Sequence, residues 1–195
     1  MKSEPLDFCR VKKIDEKGFG FLKSLYYEND IFFHFSQIKK EEFREKLEEM
    51  KRGEFFLFFT SLLQPNGKRK VSNIWYLIND IPKSYHIQFK AKIIEALAEG
   101  KTNLYDLLYV FVELKKLDLI SKVDLNSILM SKRIMNLPTT ILPFLNSEEI
   151  NEFKIILNME KIKNLPNKPY WFDDVYNYNK NHKQAAKKIK VEADN

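Results

Sequence analysis

Two short stretches carry side chains whose type and spacing could do chemistry: Lys17-Gly18-Phe19-Gly20-Phe21 and Asp30-Ile31-Phe32-Phe33-His34-Phe35-Ser36. Successive side chains of a strand point to opposite faces, so Phe19 shares a face with Phe21, and Phe32 with His34. Glycines at 18 and 20 would leave that face bare around the rings. Exposed rings so arranged suit the stacking of unpaired nucleobases, worth about 1–3 kcal/mol per base, while neighbouring lysines follow the phosphates. A Phe-rich strand pair that merely fills a core is the competing reading.

Other chemistries are poorly supplied. Histidines at 34, 86 and 182 have no metal-ligand spacing, and Cys9 is the single cysteine, so neither an intrachain disulfide nor a Cys-based zinc site can form. Asp173-Asp174 is an adjacent acidic pair, but neighbouring carboxylates on a helix diverge, whereas a nuclease needs convergent ones. The five glycines build no phosphate-cradling loop. The expectation is therefore a protein that is not an enzyme, with no catalytic residue, no metal and no cofactor; a nuclease hidden in the helices is the remaining enzymatic rival.

With 195 residues, 44% of them hydrophobic, the chain has room for one large or two small domains. Its net charge of +6 is concentrated in residues 161–190, which hold eight Lys against two Asp. Such a tail beside a stacking face favours a polyanionic partner, the plainer alternative being solvated charge. The opening Met-Lys-Ser-Glu-Pro-Leu-Asp lacks the apolar core of a signal peptide, and no run of about 18 apolar residues occurs. A cytoplasmic protein with no membrane partner is expected.

These stretches need elements to hold them. Phe55-Phe56-Leu57-Phe58-Phe59 is apolar on both faces, as is Ile74-Trp75-Tyr76-Leu77-Ile78, so something must cover the outside of the strands. Gln64-Pro65-Asn66-Gly67 reads as a turn between them. A charged helix over residues 39–51 would align Phe43, Leu47 and Met50. After the linker Asn79-Asp80-Ile81-Pro82 the period becomes helical. Expected helices are residues 85–98, with Phe89, Ile93 and Leu97 on one face; a second, capped by Thr102, to about Leu117; a third from Ser121 to Met135; and a fourth capped by Ser147. Ser121 and Asp124 form a near miss to a capping box. Near the end, Trp171, Val175 and Tyr178 share a helical face, which either docks as an aromatic edge or adds a second stacking surface beside Lys180, Lys183, Lys187 and Lys188.

Lys17 to Leu22 and Asp30 to Ser36 resemble, in order, the two signature strands of the cold-shock domain, a five-stranded OB-type barrel that binds single-stranded DNA or RNA. The resemblance extends over about residues 6–79, with Arg10 to Ile14 as first strand, Arg52-Gly53-Glu54-Phe55 entering the fourth and residues 70–74 in the fifth. It implies stacking by Phe19, Phe21, Phe32, His34 and Phe35, and backbone or base-edge contacts by Lys12 and Lys17. Where the family commonly has an exposed Trp, this chain has Lys13, which replaces a ring by a charge. Phe43 fits either a base-contacting aromatic or the anchor of its own helix. Lys68, Arg69 and Lys70, in the loop before the last strand, are additional candidates for phosphate. The expected fold is thus α+β: a five-stranded OB-type barrel over residues 6–79 packed against an α-helical domain over residues 84–190 with its basic tail. Single-stranded RNA or DNA is the expected partner. A second reading makes the helical half a protein-interaction or effector domain, such as a bacterial stress or phage-defence accessory, that the barrel targets to nucleic acid.

Overall fold

The computed structural model describes residues 4–11, 13–15, 17–38, 40–49 and 56–178. Lys12, Lys39, Met50, the segment Arg52 to Phe55 and the basic tail from residue 179 lie outside them. The fold is α+β. Six strands, β1 (Asp7–Arg10), β2 (Lys13–Asp15), β3 (Phe19–Leu22), β4 (Ile31–His34), β5 (Phe56–Leu63) and β6 (Arg69–Trp75), form one mixed sheet in the order β1-β5-β6-β4-β3-β2. Its two outermost strands, β1 and β2, are successive pieces of one chain segment, so the sheet curls until its edges meet. The expected first strand is interrupted after Arg10, which turns five strands into six: its first half pairs with β5 and its second with β3. β4 and β6 run parallel, with Phe32 opposite Lys70. All other pairs are antiparallel.

Turn chemistry sets the hairpins. Between β2 and β3 the Gly18 amide donates to Asp15 O at 2.9 Å and Gly18 adopts φ +77°, a left-handed conformation that needs glycine. Between β5 and β6 the expected turn forms, with Gly67 at φ +76° and its amide donating to Gln64 O. The barrel interior is filled by Cys9, Val11, Leu22, Ile31, Phe33, Phe35, Leu57, Phe59 and Val71, closed at one end by Ile38 and by Leu47 of α1 (Glu41–Glu49). Burial also pushes the Cys9 thiol well above its usual range, which makes it an inert core residue.

The doubly apolar strand is resolved by helices. Leu57 and Phe59 point into the barrel, whereas Phe56 and Phe58 point out and are nonetheless buried. Phe89 of α2 (His86–Glu99) meets Phe8 and Phe58 edge-on, at 6.2 and 5.9 Å between ring centroids. Tyr109 of α3 (Leu104–Lys116) stacks on Phe56 at 4.3 Å, and Arg10 lies over the same Phe56 ring while pairing with Asp106 at 2.8 Å. The strands, α2 as far as Ala96, and α3 form one compact unit; Leu97–Gly100 and the described residues from Ser121 form the other. Residues Ile74 to Ile78 are only partly strand: β6 ends at Trp75, Leu77 is exposed, and Ile78 is buried in a 3-10 turn.

Helix ends differ from expectation by one residue in two places. Asn103, not Thr102, caps α3, its Oδ1 accepting from the Tyr105 and Asp106 amides, and Asn146, not Ser147, closes a capping box with Glu149. Each capping Asn directly precedes the first helical residue, so its side-chain oxygen reaches the free amides two or three residues on. α3 ends with Asp118 at φ 55° and the Leu119 amide returning to Leu114 O, a Schellman-type stop built without glycine.

The second unit is helical. The single helix expected over residues 121–135 is two, α4 (Lys122–Leu129) and α5 (Lys132–Asn136), because the Ser131 side chain accepts from the Ile134 amide and starts a new helix. The Ser121–Asp124 box closes with Asp in the place of the usual Glu. α6 (Ser147–Ile156), α7 (Met159–Lys163) and a helix over residues 172–178 complete it. In that last helix Val175 is buried, as expected of the edge Trp171–Val175–Tyr178, but its buried companion is Phe172, on which Tyr176 stacks at 5.3 Å, while Trp171 and Tyr178 are half-buried.

Asp7 is buried in the first unit, as are the neutral polar Thr60 and Ser61. Asp7 accepts from the amides of Phe8 and Leu25, both at 2.9 Å, and from the Ser24 hydroxyl, yet burial dominates and raises its pKa to about 6. A carboxyl whose folded pKa exceeds its unfolded value binds protons preferentially in the folded state, so its contribution is present below about pH 4 and is lost as pH rises through about 6. Asp7→Asn should therefore flatten stability against pH across that window, where Asp7 adds a slope of at most about 1.4 kcal/mol per pH unit. Urea denaturation at several pH values checks this; an unchanged slope refutes it. Phe89→Ala should cost about 3–5 kcal/mol by the same denaturation, as truncation of a fully buried aromatic does.

Candidate nucleic-acid interface

β3 and β4 pair in the register Phe19↔His34, Gly20↔Phe33, Phe21↔Phe32 and Leu22↔Ile31. Leu22, Ile31 and Phe33 are fully buried, so the residues between them, Phe19, Phe21, Phe32 and His34, are left on the outer face. Their rings form a closed triangle, Phe19–Phe21, Phe19–Phe32 and Phe21–Phe32 having centroids 6.0, 5.9 and 5.8 Å apart. Phe21 is 39% exposed and the other three are half-buried, so the cluster offers ring surface to solvent. The two glycines serve differently from the expectation. Gly18 makes the turn, and Gly20 lies opposite Phe33 on the core side.

Phe35 departs from the expected set. It follows His34 by one residue, which turns it inward, and it is only 6% exposed, stacked on Phe33 at 6.0 Å beneath Gly18. Its ring supports the outer face from below. Its amide donates to Gly18 O at 2.7 Å, tying the turn to the end of β4.

His34 is held by its own neighbours. Nδ1 accepts from the Ser36 amide at 3.1 Å, while the His34 amide donates to Gln37 Oε1 at 2.8 Å. With Nδ1 accepting, the neutral ring carries its proton on Nε2, which is then a donor for a base carbonyl. Gln37 also donates through Nε2 to Val71 O, so one side chain joins the end of β4 to β6. Sequence reasoning missed Gln37, although His34-x-x-Gln37 has the spacing of a capping box, with His where Ser or Thr usually stands.

The basic residues divide. Lys17 is exposed in the turn before Phe19, and Lys68 and Lys70 are exposed around the start of β6. Across four strands the positions Lys13, Phe21, Phe32 and Lys70 lie in one row, which brackets the rings. Lys12 lies outside the described residues. Arg69 is not available for phosphate: it pairs with Glu4 at 2.6 Å, donates to Ser61 O and lies 3.8 Å from the centroid of Tyr27. Adjacent strand positions face opposite ways, so Arg69 and Lys70 cannot serve one surface. Phe43 is half-buried against the barrel core, 5.6 Å from Tyr76.

Among the described residues no group of three or more His, Cys, Asp or Glu side chains could hold a metal ion, and no helix is long and apolar enough to cross a membrane. Residues 9–72, about a third of the chain, match the family model described as the 'Cold-shock' DNA-binding domain. The chain thus carries a cold-shock domain over the curled sheet. No curated protein matches the chain.

The division of basic residues is testable through salt dependence. Each phosphate contact on a single strand contributes about 0.7 to the slope of log affinity against log salt. Lys70→Gln should flatten that slope by about this amount, whereas Arg69→Gln should leave it unchanged and lower stability by about 1–3 kcal/mol. Oligonucleotide titrations over a salt series, with denaturation of each variant, check both; a flatter slope for Arg69→Gln refutes the division.

Proposed function

We propose that this protein binds single-stranded RNA or DNA on the open face of β3 and β4, without chemistry of its own. The observation that carries the reading is the triangle of Phe19, Phe21 and Phe32 beside His34, four partly exposed rings on one outer face of a domain matched to a nucleic-acid-binding family. Bases laid on these rings gain contact area without base-specific hydrogen bonding, so sequence preference is weak and either sugar is tolerated. His34 Nε2 adds one directional donor. Lys17, Lys68 and Lys70, all exposed, accompany the strand's phosphates, and the resemblance adds Lys12 and Lys13 as candidates for the same role. Duplex binds much more weakly, because its bases already cover one another.

Replacing Phe19 and Phe32 together by Ala should weaken single-strand binding by about 2–6 kcal/mol, two stacks at about 1–3 each. Both rings are on the outer face, so folding should persist. Circular dichroism and titration of a fluorescent oligonucleotide measure the two effects, and unchanged affinity in a folded double variant overturns the platform.

A further inference from the structure

Beside the platform lies a groove of about 650 Å³, between α1 and the end of β6, within the ~300–1,000 Å³ typical of small-molecule pockets. Its walls include Phe43, Asn73, Trp75 and Tyr76, with Glu42 and Asp80 on its rim. The groove is continuous with the platform by register. β4 and β6 run parallel with Phe32 opposite Lys70, so two residues further along each strand His34 comes alongside Ser72, which lines the groove. Trp75 and Tyr76 follow immediately, beyond residue 72 where the family match ends. In the first strand, where the cold-shock pattern commonly has its exposed Trp, this chain has Lys13; an indole is found instead in the groove.

We propose that the groove is a subsite for one further nucleobase of the strand that stacks on the platform, and that it selects a base carrying an exocyclic amino group. Trp75, Phe43 and Tyr76 provide the faces. Glu42 and Asp80 provide carboxylate acceptors, which pair with the exocyclic amino group of cytosine, adenine or guanine, whereas uracil and thymine offer only a ring N3–H flanked by two carbonyl oxygens that repel a carboxylate. Lys40, 78% exposed and 3.9 Å from Asp80, is placed to accompany the connecting phosphate at the rim. This subsite rests on the strand-binding role proposed for the platform.

Trp75 is itself the reporter. In the full-length Trp171→Phe protein it is the only tryptophan, so its emission reads the groove without altering it. The probes are oligouridylates of three to eight nucleotides, each also made with a cytidine at either end. Strands too short to leave the platform should bind with unchanged emission. Beyond a threshold length, a cytidine-ended strand should quench Trp75 and gain about 5- to 150-fold in affinity, the value of one added stack, while the uridine-ended strand gains less. Glu42→Gln combined with Asp80→Asn should narrow that difference. Tight binding that needs Phe19 and Phe32 but leaves Trp75 emission unchanged at every length overturns the groove and leaves the platform standing. Equal quenching by both ends overturns the role of Glu42 and Asp80, and failure of every strand to bind overturns subsite and platform together.

Discussion

Alternation of side chains along a strand decides which aromatic rings of this barrel meet water. A small barrel can fill its interior from only one face of each strand, and here Leu22, Ile31, Phe33, Leu57, Phe59 and Val71 do so. Every aromatic residue at the intervening positions is then forced outward. On β5 those are Phe56 and Phe58, on β3 Phe19 and Phe21, and on β4 Phe32 with His34. The same parity removes Phe35 from the outer face and separates Lys70 from Arg69. A single-residue slip would exchange the two sets and empty the core.

Outward rings meet two different fates around the circumference. Along β1 and β5 they are roofed by Phe89 and Tyr109, and that roof needs polar fastening at its margin: Arg10 bridges Phe56 to Asp106. Along β3 and β4 the rings pack against one another and keep surface open to solvent. Apolar clusters left open on a folded surface mark interaction sites more often than accidents, since burying them elsewhere would add stability. The clustering of α2 and α3 with the strands follows from this roofing, because these two helices complete a barrel whose sheet is apolar on both sides along β5.

Local signals were legible and long-range ones were not. Two aromatic stretches of five and seven residues, with alternating parity, sufficed to place Phe19, Phe21, Phe32 and His34 on one face. The doubly apolar run at residues 55–59 announced a cover. What escaped were choices that depend on partners distant in the chain: Arg69 is held by Glu4 and Tyr27, and Gln37 reaches Val71 across the parallel pair. Lys68-Arg69-Lys70 reads as one basic patch in sequence, yet the strand begins at Arg69 and splits it. Caps shifted by one residue at Asn103 and Asn146 because adjacent polar residues compete for the same amides. Ser131 broke a helix that hydrophobic period alone would have continued.

Among the described residues the exposed cations near the platform are few, and this shapes how a strand would be held in the proposed mode. Lys17, Lys68 and Lys70 are exposed, but Asp15 sits opposite Phe19 and Arg69 is committed to Glu4. Electrostatic attachment through so short a margin fades with salt, whereas stacking on a desolvated ring cluster does not depend on counterion release. A strand held chiefly by its base faces must present them unpaired. In the proposed binding mode, selectivity for single strands over duplex arises from what the duplex has already buried, and the ring platform by itself reads neither sequence nor sugar.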